Sequence, residues 1–197
     1  MESVKPRVAE SASDRDADVI GLIDAGDLTA ALRVLMQRYG AAVYRYCREA
    51  LRDPVLADDV HQHVFIQAHR DLSRFAHRSA IRTWLFAIAR HRVLDAAKSR
   101  RRALAHVAID ERADVVDPRP LAGEHIDDAR LRHALTACLE EVGEHVRTAL
   151  LLRYQQGFSF EEMAEVCREK AGTLEARVRR ALPTLRECIE NRTGGTL

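Results

Sequence analysis

The chain has 197 residues, of which 47% are hydrophobic and 31% are charged. This length suffices for one sizeable core or two small ones. The 31 Lys and Arg residues nearly cancel the 30 Asp and Glu residues, which excludes a general polyanion binder and a dominant acidic tail. No apolar run approaches the ~20 residues of a membrane helix, and no apolar signal-peptide core is present, so we expect a soluble, cytoplasmic protein.

The chain contains four cysteines: Cys47, Cys138, Cys167 and Cys188. They are far apart and never form C-x-x-C, so neither a zinc knuckle nor a redox pair is indicated. For a cytosolic protein we expect all four to be reduced, buried thiols.

The first predicted elements are a disordered arm at residues 1–17 and a helical segment from Val19 onward. The arm is polar and aperiodic, and the first thirty residues carry seven acids and three bases. After it, apolar residues recur at spacings of three and four, which predicts an amphipathic helix with an irregularity near Gly40. These residues are Leu32, Leu35, Met36, Tyr39, Val43, Tyr46 and Ala50.

Asp53-Pro54 predicts a turn followed by a second helix. Its apolar stripe consists of Leu56, Val60, Val64, Ala68 and Leu72, with Phe65 beside it. The same segment, DDVHQHVFIQAH, places three histidines and two aspartates within twelve residues, which raises the alternative of a metal-dependent enzyme built on Asp59, His61, His63 and His69. His61 lies about 160° around the helix from His63, and no second group of ligands follows in the sequence. We therefore favour a solvent-exposed face of the helix that docks on a partner.

A polar loop at residues 73–79 leads into IRTWLFAIARHRVLDAAKSRRR. Ile81, Leu85 and Ile88 form the expected buried stripe, so the basic side chains should project outward. The segment 90–102 holds six bases and one acid, more than a helix C-terminus needs to complement its dipole. Bases beside Trp84 and Phe86 are typical of single-stranded nucleic-acid binding, although a tryptophan in a small domain is commonly part of the core.

Helical periodicity fails between about residues 103 and 127, where two prolines and a glycine predict an interdomain linker. The second domain then contains a helix-turn-helix pattern. We expect Ser159 to be the N-cap of the first helix, SFEEMAEVC, and Thr173 to be the N-cap of the second helix, TLEARVRRAL. Residues 168–172 form the tight connection between the two helices. We expect Pro183 to bend or end the second helix.

The leading turn of that helix contains groups that can read base edges. Arg177 can pair with guanine and Glu175 can accept from cytosine. A solvated helix face is the alternative that this pattern alone leaves open.

Four ordered pieces of the chain resemble a bacterial RNA polymerase sigma factor of the extracytoplasmic function (ECF) group. They are ADDVHQHVFIQAH, RTWLFAIARHRVLDAAKSRRR, ALLLRYQQGFSFEEMAEV and GTLEARVRRAL. The resemblance implies an all-α protein with a sigma region 2-like bundle at residues 18–103 and a region 4-like helix-turn-helix domain at 127–192. A flexible linker at 104–126 would thread through the polymerase, and residues 193–197 form a tail.

The resemblance also implies a role without catalytic residues, metal or cofactor, in which core RNA polymerase, promoter DNA and an anti-sigma factor are the partners. Polymerase docking is expected of Asp58, Asp59, Gln62, His63 and Phe65. Minus-10 recognition and melting are expected of Arg74, His77, Arg78, Ser79, Arg82, Trp84, Arg90, His91, Arg92, Lys98, Arg100, Arg101 and Arg102. Minus-35 recognition is expected of Lys170, Thr173, Glu175, Ala176, Arg177, Arg179 and Arg180.

The chain departs from the family pattern at several of these places. Arg168 and Glu169 occupy turn positions where glycine and an aliphatic residue are usual, and Glu175 stands where lysine is common. A stand-alone helix-turn-helix regulator is the alternative within DNA binding, but it does not account for the RTWLFAIAR element.

Overall fold

The computed structural model describes residues 16–107 and 126–194, and this part of the chain is helical without strands, which confirms the all-α prediction. Residues 1–15 of the expected arm, most of the expected linker and the last residues of the expected tail lie outside the described residues. Asp16 and Ala17, placed in the arm by the sequence, belong to the fold: Asp16 is buried and Ala17 begins a helix.

The first domain consists of α1 (Ala17–Asp24), α2 (Leu28–Leu51), α3 (Pro54–Leu72) and α4 (Ile81–Val107). The second domain begins with α5 (Ile126–Glu141) and α6 (Glu144–Leu150), which continues into a π-helical turn (Leu151–Gln155). It ends with α7 (Phe160–Cys167) and α8 (Ala171–Thr193). The irregularity predicted near Gly40 is not observed, because α2 is continuous there.

Aspartate caps set the starts of α2 and α3. The side chain of Asp27 accepts a hydrogen bond from the backbone N–H of Ala30 at 3.0 Å, and that of Asp53 accepts from Leu56 at 3.0 Å. Each cap satisfies an N–H group that the first helical turn leaves without a backbone partner. Pro54 occupies the first turn of α3, where its missing N–H costs nothing.

The predicted stripe on α3 forms the centre of the first domain. Val60, Val64, Ala68 and Leu72 are buried, with Phe65 beside them. On α4 the burial is broader than predicted, because Phe86 is inaccessible and contacts Tyr46 edge-on at 5.8 Å. The proposed role of Phe86 as an exposed aromatic is therefore wrong.

Helix α8 differs from its prediction at two points. It begins at Ala171 with Lys170 at the N-cap position, so Thr173 lies within the first turn and is not the cap. The helix also continues past Pro183, so it does not end there as one of the two predicted outcomes would have it. Leu185 is buried two residues later, and this packing holds the segment beyond the proline against the domain.

The expectation of four reduced cysteines is wrong for two of them. Cys138 on α5 and Cys188 on α8 form a disulfide, with Cα atoms 5.9 Å apart and a separation of 50 positions in sequence. Cys47 and Cys167 are free and buried, as predicted. The helices α5 and α8 pack together only in the tertiary structure, so the spacing of these two cysteines along the sequence does not predict the disulfide.

The two domains pack directly on each other instead of remaining separate. One continuous cluster of buried residues joins Val43, Tyr46 and Phe86 of the first domain to Leu152 and Phe158 of the second. Phe86 and Phe158 meet edge-on at 5.2 Å between ring centroids. The faces of α4 and α7 that contact each other are therefore part of the hydrophobic core in this conformation.

Candidate functional site

The outer face of α3 carries the polar side chains predicted to dock on polymerase. Asp58, Asp59, Gln62 and His63 are exposed, and His63 Nδ1 lies 2.7 Å from the carbonyl oxygen of Asp59. Phe65 is only 4% exposed, so it can shape this face from below but offers almost no surface to a partner.

An apolar groove of about 490 Å³ runs beside this polar face, between α2 and α3. Met36 and Ile66 line it, and each is 47% exposed. The periodicity had placed Met36 in the buried stripe, and the structure corrects this. Ile66 is not among the residues predicted to dock on polymerase, although an apolar residue outside the apolar stripe of a helix can indicate a contact surface. His61 also lines the groove, and its ring contacts those of Tyr44 and Phe65 edge-on at 5.4 and 5.2 Å.

The loop between α3 and α4 folds over a buried aromatic residue. Phe75 is buried and contacts Trp84 edge-on at 5.5 Å, so Trp84 is half-buried against the domain. His77 adopts a left-handed backbone with φ 53° and its Nε2 lies 3.1 Å from Asp24. Arg74 and Arg78 are exposed, whereas Ser79 is half-buried.

The basic residues of α4 divide into two groups, contrary to the expectation that all project outward. His91, Lys98, Arg101 and Arg102 are exposed. Arg92 and Arg100 instead bond within the domain: Arg92 donates to the side-chain oxygen of Gln67 at 2.7 Å, and Arg100 donates to the carbonyl of Leu51 at 3.0 Å. The long-range partners of these arginines give no signal in the local sequence.

Two further arginines of α4 point into the second domain. Arg82 donates to the carbonyl of Gln156, and its guanidinium carbon lies 3.9 Å from the centroid of the Phe158 ring. Arg90 Nη2 lies 3.5 Å from a carboxylate oxygen of Glu169. Both residues were predicted to contact DNA, and in this conformation they contact protein.

The helix-turn-helix motif is built as predicted around a capping box. The Ser159 hydroxyl accepts from Glu162 N at 3.1 Å, and the Glu162 carboxylate accepts from Ser159 N at 2.7 Å. The turn begins at Arg168 with φ 54°, a left-handed conformation that explains why glycine is usual at this position.

The N-terminal part of α8 presents most of the predicted minus-35 residues to solvent. Lys170, Thr173, Glu175, Arg179 and Arg180 are exposed, and Ala176 is half-buried. Arg177 forms a bidentate pair with Glu169 at 2.5 and 3.1 Å. This pairing holds the pKa of Glu169 below its usual range and raises the pKa of Arg177.

The described residues contain neither a candidate metal site nor a candidate membrane span. No group of three or more His, Cys, Asp or Glu residues in the described part of the chain is placed to hold a metal ion. None of the described helices is both long and apolar enough to cross a membrane. Of the α3 histidines that suggested a metal site, His61 contacts the carbonyl of Gly40 and the Phe65 ring, and His63 contacts the carbonyl of Asp59.

Comparison with known proteins identifies both domains. Residues 35–103 match the family described as Sigma-70 region 2, and residues 132–185 match Sigma-70, region 4. The chain is 32% identical over 185 residues to the ECF RNA polymerase sigma factor SigC of Mycobacterium tuberculosis, covering 90% of this chain and 93% of that protein. The chain belongs to the ECF group of RNA polymerase sigma factors.

This sigma factor is also 28% identical over 188 residues to the RNA polymerase sigma-H factor of Pseudomonas aeruginosa, covering 90% of this chain and 95% of that protein. Its fold matches the sigma factor RpoE of Bartonella quintana, solved with the anti-sigma factor NepR, with a TM-score of 0.69, 22% identity and coverage of 80% and 96% of the two chains. CnrH, solved with the cytosolic domain of CnrY, matches with a TM-score of 0.64, 23% identity and coverage of 89% and 99%. The predicted family is confirmed.

Proposed function

We propose that this sigma factor docks on core RNA polymerase through the outer face of α3, opens the minus-10 element with the 73–80 loop and α4, and reads the minus-35 element with α8. The observation that carries the proposal is the separation of these surfaces. The polar face of α3, the exposed bases at the end of α4 and the exposed bases of α8 lie on three different helices. One chain can therefore hold polymerase and two promoter elements together.

The α3 face has the composition of a protein-binding surface. Met36 and Ile66 provide exposed apolar area, and Asp59, Gln62 and His63 provide polar groups beside it. An apolar centre with a polar rim is the usual arrangement at interfaces. Phe65 supports this surface by fixing α3 against the core.

Melting at minus-10 requires the displaced bases to be captured, because unstacking costs a few kcal/mol per step. Arg74 and Arg78 are exposed in the loop, and Lys98, Arg101 and Arg102 are exposed farther along α4. These cations can hold phosphates without rearranging the core. The residues Arg82, Arg90, Arg92 and Arg100 need a change of partner before they contact DNA.

Minus-35 recognition is assigned to the first turns of α8. Thr173, Glu175, Arg179 and Arg180 are exposed there, at the end of a recognition helix that enters a major groove. Glu175 is an acid among these groups and accepts a hydrogen bond from cytosine in this role. We assign the affinity for phosphate to the arginines and the base preference to Thr173 and Glu175.

We infer that the protein acts in the cytoplasm by binding polymerase and promoter DNA and by opening the DNA strands, without an active site of its own. An anti-sigma factor would control it by covering the polymerase- and DNA-binding surfaces. The test is promoter selection: purified protein and core polymerase transcribe a library of promoter fragments, and the enriched transcripts define both elements. Binding to closed duplex without polymerase, and no selected transcripts, would favour the stand-alone regulator instead.

A further inference from the structure

A pocket of about 350 Å³ lies at the C-terminal end of α2, where α4, α5 and α6 meet it. This volume is at the lower end of the range of about 300–1,000 Å³ that is usual for small-molecule sites. The pocket has charged and apolar walls. Its charged lining consists of Arg52, Arg100, Arg101, Glu140, Glu144 and Arg147.

The arginines of this pocket exceed its carboxylates. Arg52 binds Glu140 at 3.1 Å and also Glu49, which does not line the pocket, at 2.9 Å. Arg101 Nη1 lies 3.5 Å from a carboxylate oxygen of Glu144. Four arginines therefore face three acids, so the pocket keeps an excess of positive charge even when every neighbouring carboxylate is counted.

The positive charges in the pocket repel one another. Burial lowers the pKa of Arg147, and the charges of Arg52 and Arg100 lower it further. Glu140 and Glu144 act in the opposite direction. Since like charges held together disfavour the charged form of each group, an anion in the pocket would relieve this repulsion. The pocket therefore favours a negatively charged ligand.

Arg100 and Arg101 keep hydrogen-bond donors for such a ligand. Arg100 donates through Nη1 to the carbonyl of Leu51 at 3.0 Å, and its Nε and Nη2 have no partner among the described residues. Neither of these nitrogens is fully buried. The contact of Arg101 with Glu144 is long, and the Arg101 side chain is 68% exposed. Guanidinium groups with accessible N–H donors match the oxygens of a phosphate.

An apolar wall lies beside these donors. Leu104 lines the pocket one helical turn after Arg100 and Arg101, and it is 53% exposed. Ala97, one turn before them, and Leu51 continue the apolar lining. Inorganic phosphate would leave this surface in water, whereas a nucleobase would cover it and can stack on a guanidinium plane. The walls therefore fit a ligand with both a phosphate and a flat apolar group.

We propose that this pocket binds a nucleoside diphosphate, whose phosphates pair with Arg100 and Arg101 and whose base packs against Leu104. A pocket of this volume holds a mononucleotide but not a DNA duplex. The ligand occupies Arg101, so it competes with promoter phosphates for the same guanidinium. This competition, unlike the binding itself, rests on the proposed assignment of Arg101 to promoter DNA.

A simpler alternative is that these arginines only satisfy the carbonyl groups at the end of α2. Arg147 donates to Ala50 and Arg100 donates to Leu51 in this way. The alternative does not account for Arg101, which has no carbonyl partner among the described residues, or for the exposed Leu104 beside it. A direct binding measurement separates the two explanations.

Isothermal titration calorimetry of the full chain measures binding without polymerase or DNA. The probes are ADP, pyrophosphate and adenosine, which separate the contribution of the phosphates from that of the base. We expect saturable binding of ADP, weaker binding of pyrophosphate and no binding of adenosine. Failure of ADP to saturate natively folded protein at concentrations up to about 5 mM would overturn the proposal.

Two substitutions with opposite effects test the assignment of residues. Arg101→Gln removes a donor and should weaken ADP binding about tenfold or more. Glu144→Gln frees Arg101 from its acid and should tighten ADP binding about two- to fivefold. Arg45→Gln and Glu187→Gln are the matched controls, since both residues are exposed and do not line the pocket. Changes of equal size in the controls would assign the effect to net charge and overturn the site.

Displacement of a fluorescent promoter duplex supplies the second measurement. We expect ADP to displace the duplex from the unsubstituted protein at concentrations that saturate the calorimetric site. Duplex binding that depends on Arg101, without any binding of ADP, would assign the phosphate to DNA and overturn the nucleotide site. Binding of ADP without displacement would support the pocket and count against the assignment of Arg101 to promoter DNA, so the failures of the two proposals are distinguishable.

Discussion

Arg147 of the second domain donates a hydrogen bond through Nη1 to the carbonyl oxygen of Ala50 in the first domain, at 3.0 Å. The same guanidinium donates to the carbonyls of Leu139, Glu140 and Val142. It therefore provides a hydrogen-bond donor to carbonyl groups at the C-terminal ends of both α2 and α5. The guanidinium is partly buried, and desolvation lowers the pKa of Arg147. This side chain ties the two domains at a place remote from Glu169 in sequence.

Arg147→Ala should be strongly destabilising. The substitution leaves several carbonyl oxygens without their donor. A hydrogen bond to a charged group contributes about 1.5–3 kcal/mol to stability. We expect the free energy of unfolding to fall by roughly 2–4 kcal/mol. Urea unfolding measures it, with exposed Arg33→Ala as the control. Equal midpoints for the two variants would contradict this role.

The ion pair of Glu169 predicts a defined pH dependence. Its pKa is lowered chiefly by the hydrogen bonds from Arg177, with further contributions from Arg90 and His145. A lowered pKa in the folded state means that the pair stabilises the protein above the unfolded pKa and stops doing so as pH falls through the folded pKa. The stability difference between the unsubstituted protein and Glu169→Gln should therefore be constant at neutral pH and shrink in acid. A difference that grows in acid would refute the pairing.

Local patterns predicted those elements whose causes are local. The α3 stripe and the Ser159 cap depend on residues within one or two helical turns, and both are found in the structure. Met36 followed the same helical spacing yet is exposed, because none of the described elements covers that part of α2. Periodicity identifies the face of a helix but not what packs against it.

Long-range partners were beyond sequence reasoning. The Arg82–Gln156 hydrogen bond, the Arg90–Glu169 contact and the Cys138–Cys188 disulfide all join residues at least 50 positions apart. The basic composition of α4 indicates nucleic-acid binding, which stays a prediction, yet several of its arginines bond within the protein in the structure. A charge pattern does not distinguish these two uses.

The disulfide predicts the number of reactive thiols in each state. Burial raises the pKa of Cys47 to about 12 and also raises that of Cys167, so neither should react in the folded protein at about pH 8. We expect no reactive thiols in the native oxidised protein, two after denaturation and four after denaturation with reductant. Alkylation and mass spectrometry measure these counts, and four thiols without reductant would contradict the disulfide. A crosslink of this span stabilises by about 4 kcal/mol in the chain-entropy estimate.

Ser159→Ala tests the cap that begins α7. The substitution removes the acceptor for Glu162 N and half of the capping box. Loss of such a cap costs about 1 kcal/mol, so the thermal midpoint should fall by a few degrees. Ser99→Ala, at an exposed position within α4, is the control and should leave the midpoint unchanged. Equal midpoints for the two variants would show that the cap contributes nothing.

Charge reversal on α4 separates DNA binding from folding. Arg101 and Arg102 are exposed, whereas Arg100 is half-buried and donates to the carbonyl of Leu51. Arg101→Glu with Arg102→Glu should change stability little, because the ion pair between Arg101 and Glu144, at 3.5 Å, is exposed. The double substitution should reduce open-complex formation, and the slope of log K for promoter binding against log salt concentration should fall in magnitude by about one per lost phosphate contact. Arg100→Glu should instead lower the free energy of unfolding by roughly 1–3 kcal/mol, because it removes the donor.

Permanganate reactivity of melted thymines measures opening, and urea unfolding measures stability. Exposed Arg33 and Arg45 on α2, both changed to Glu, give a control with the same change in net charge. Since this control alters overall attraction to DNA equally, only a larger loss of reactive thymines in the α4 variant assigns melting to Arg101 and Arg102. Equal losses in the two double variants would assign the effect to net charge alone.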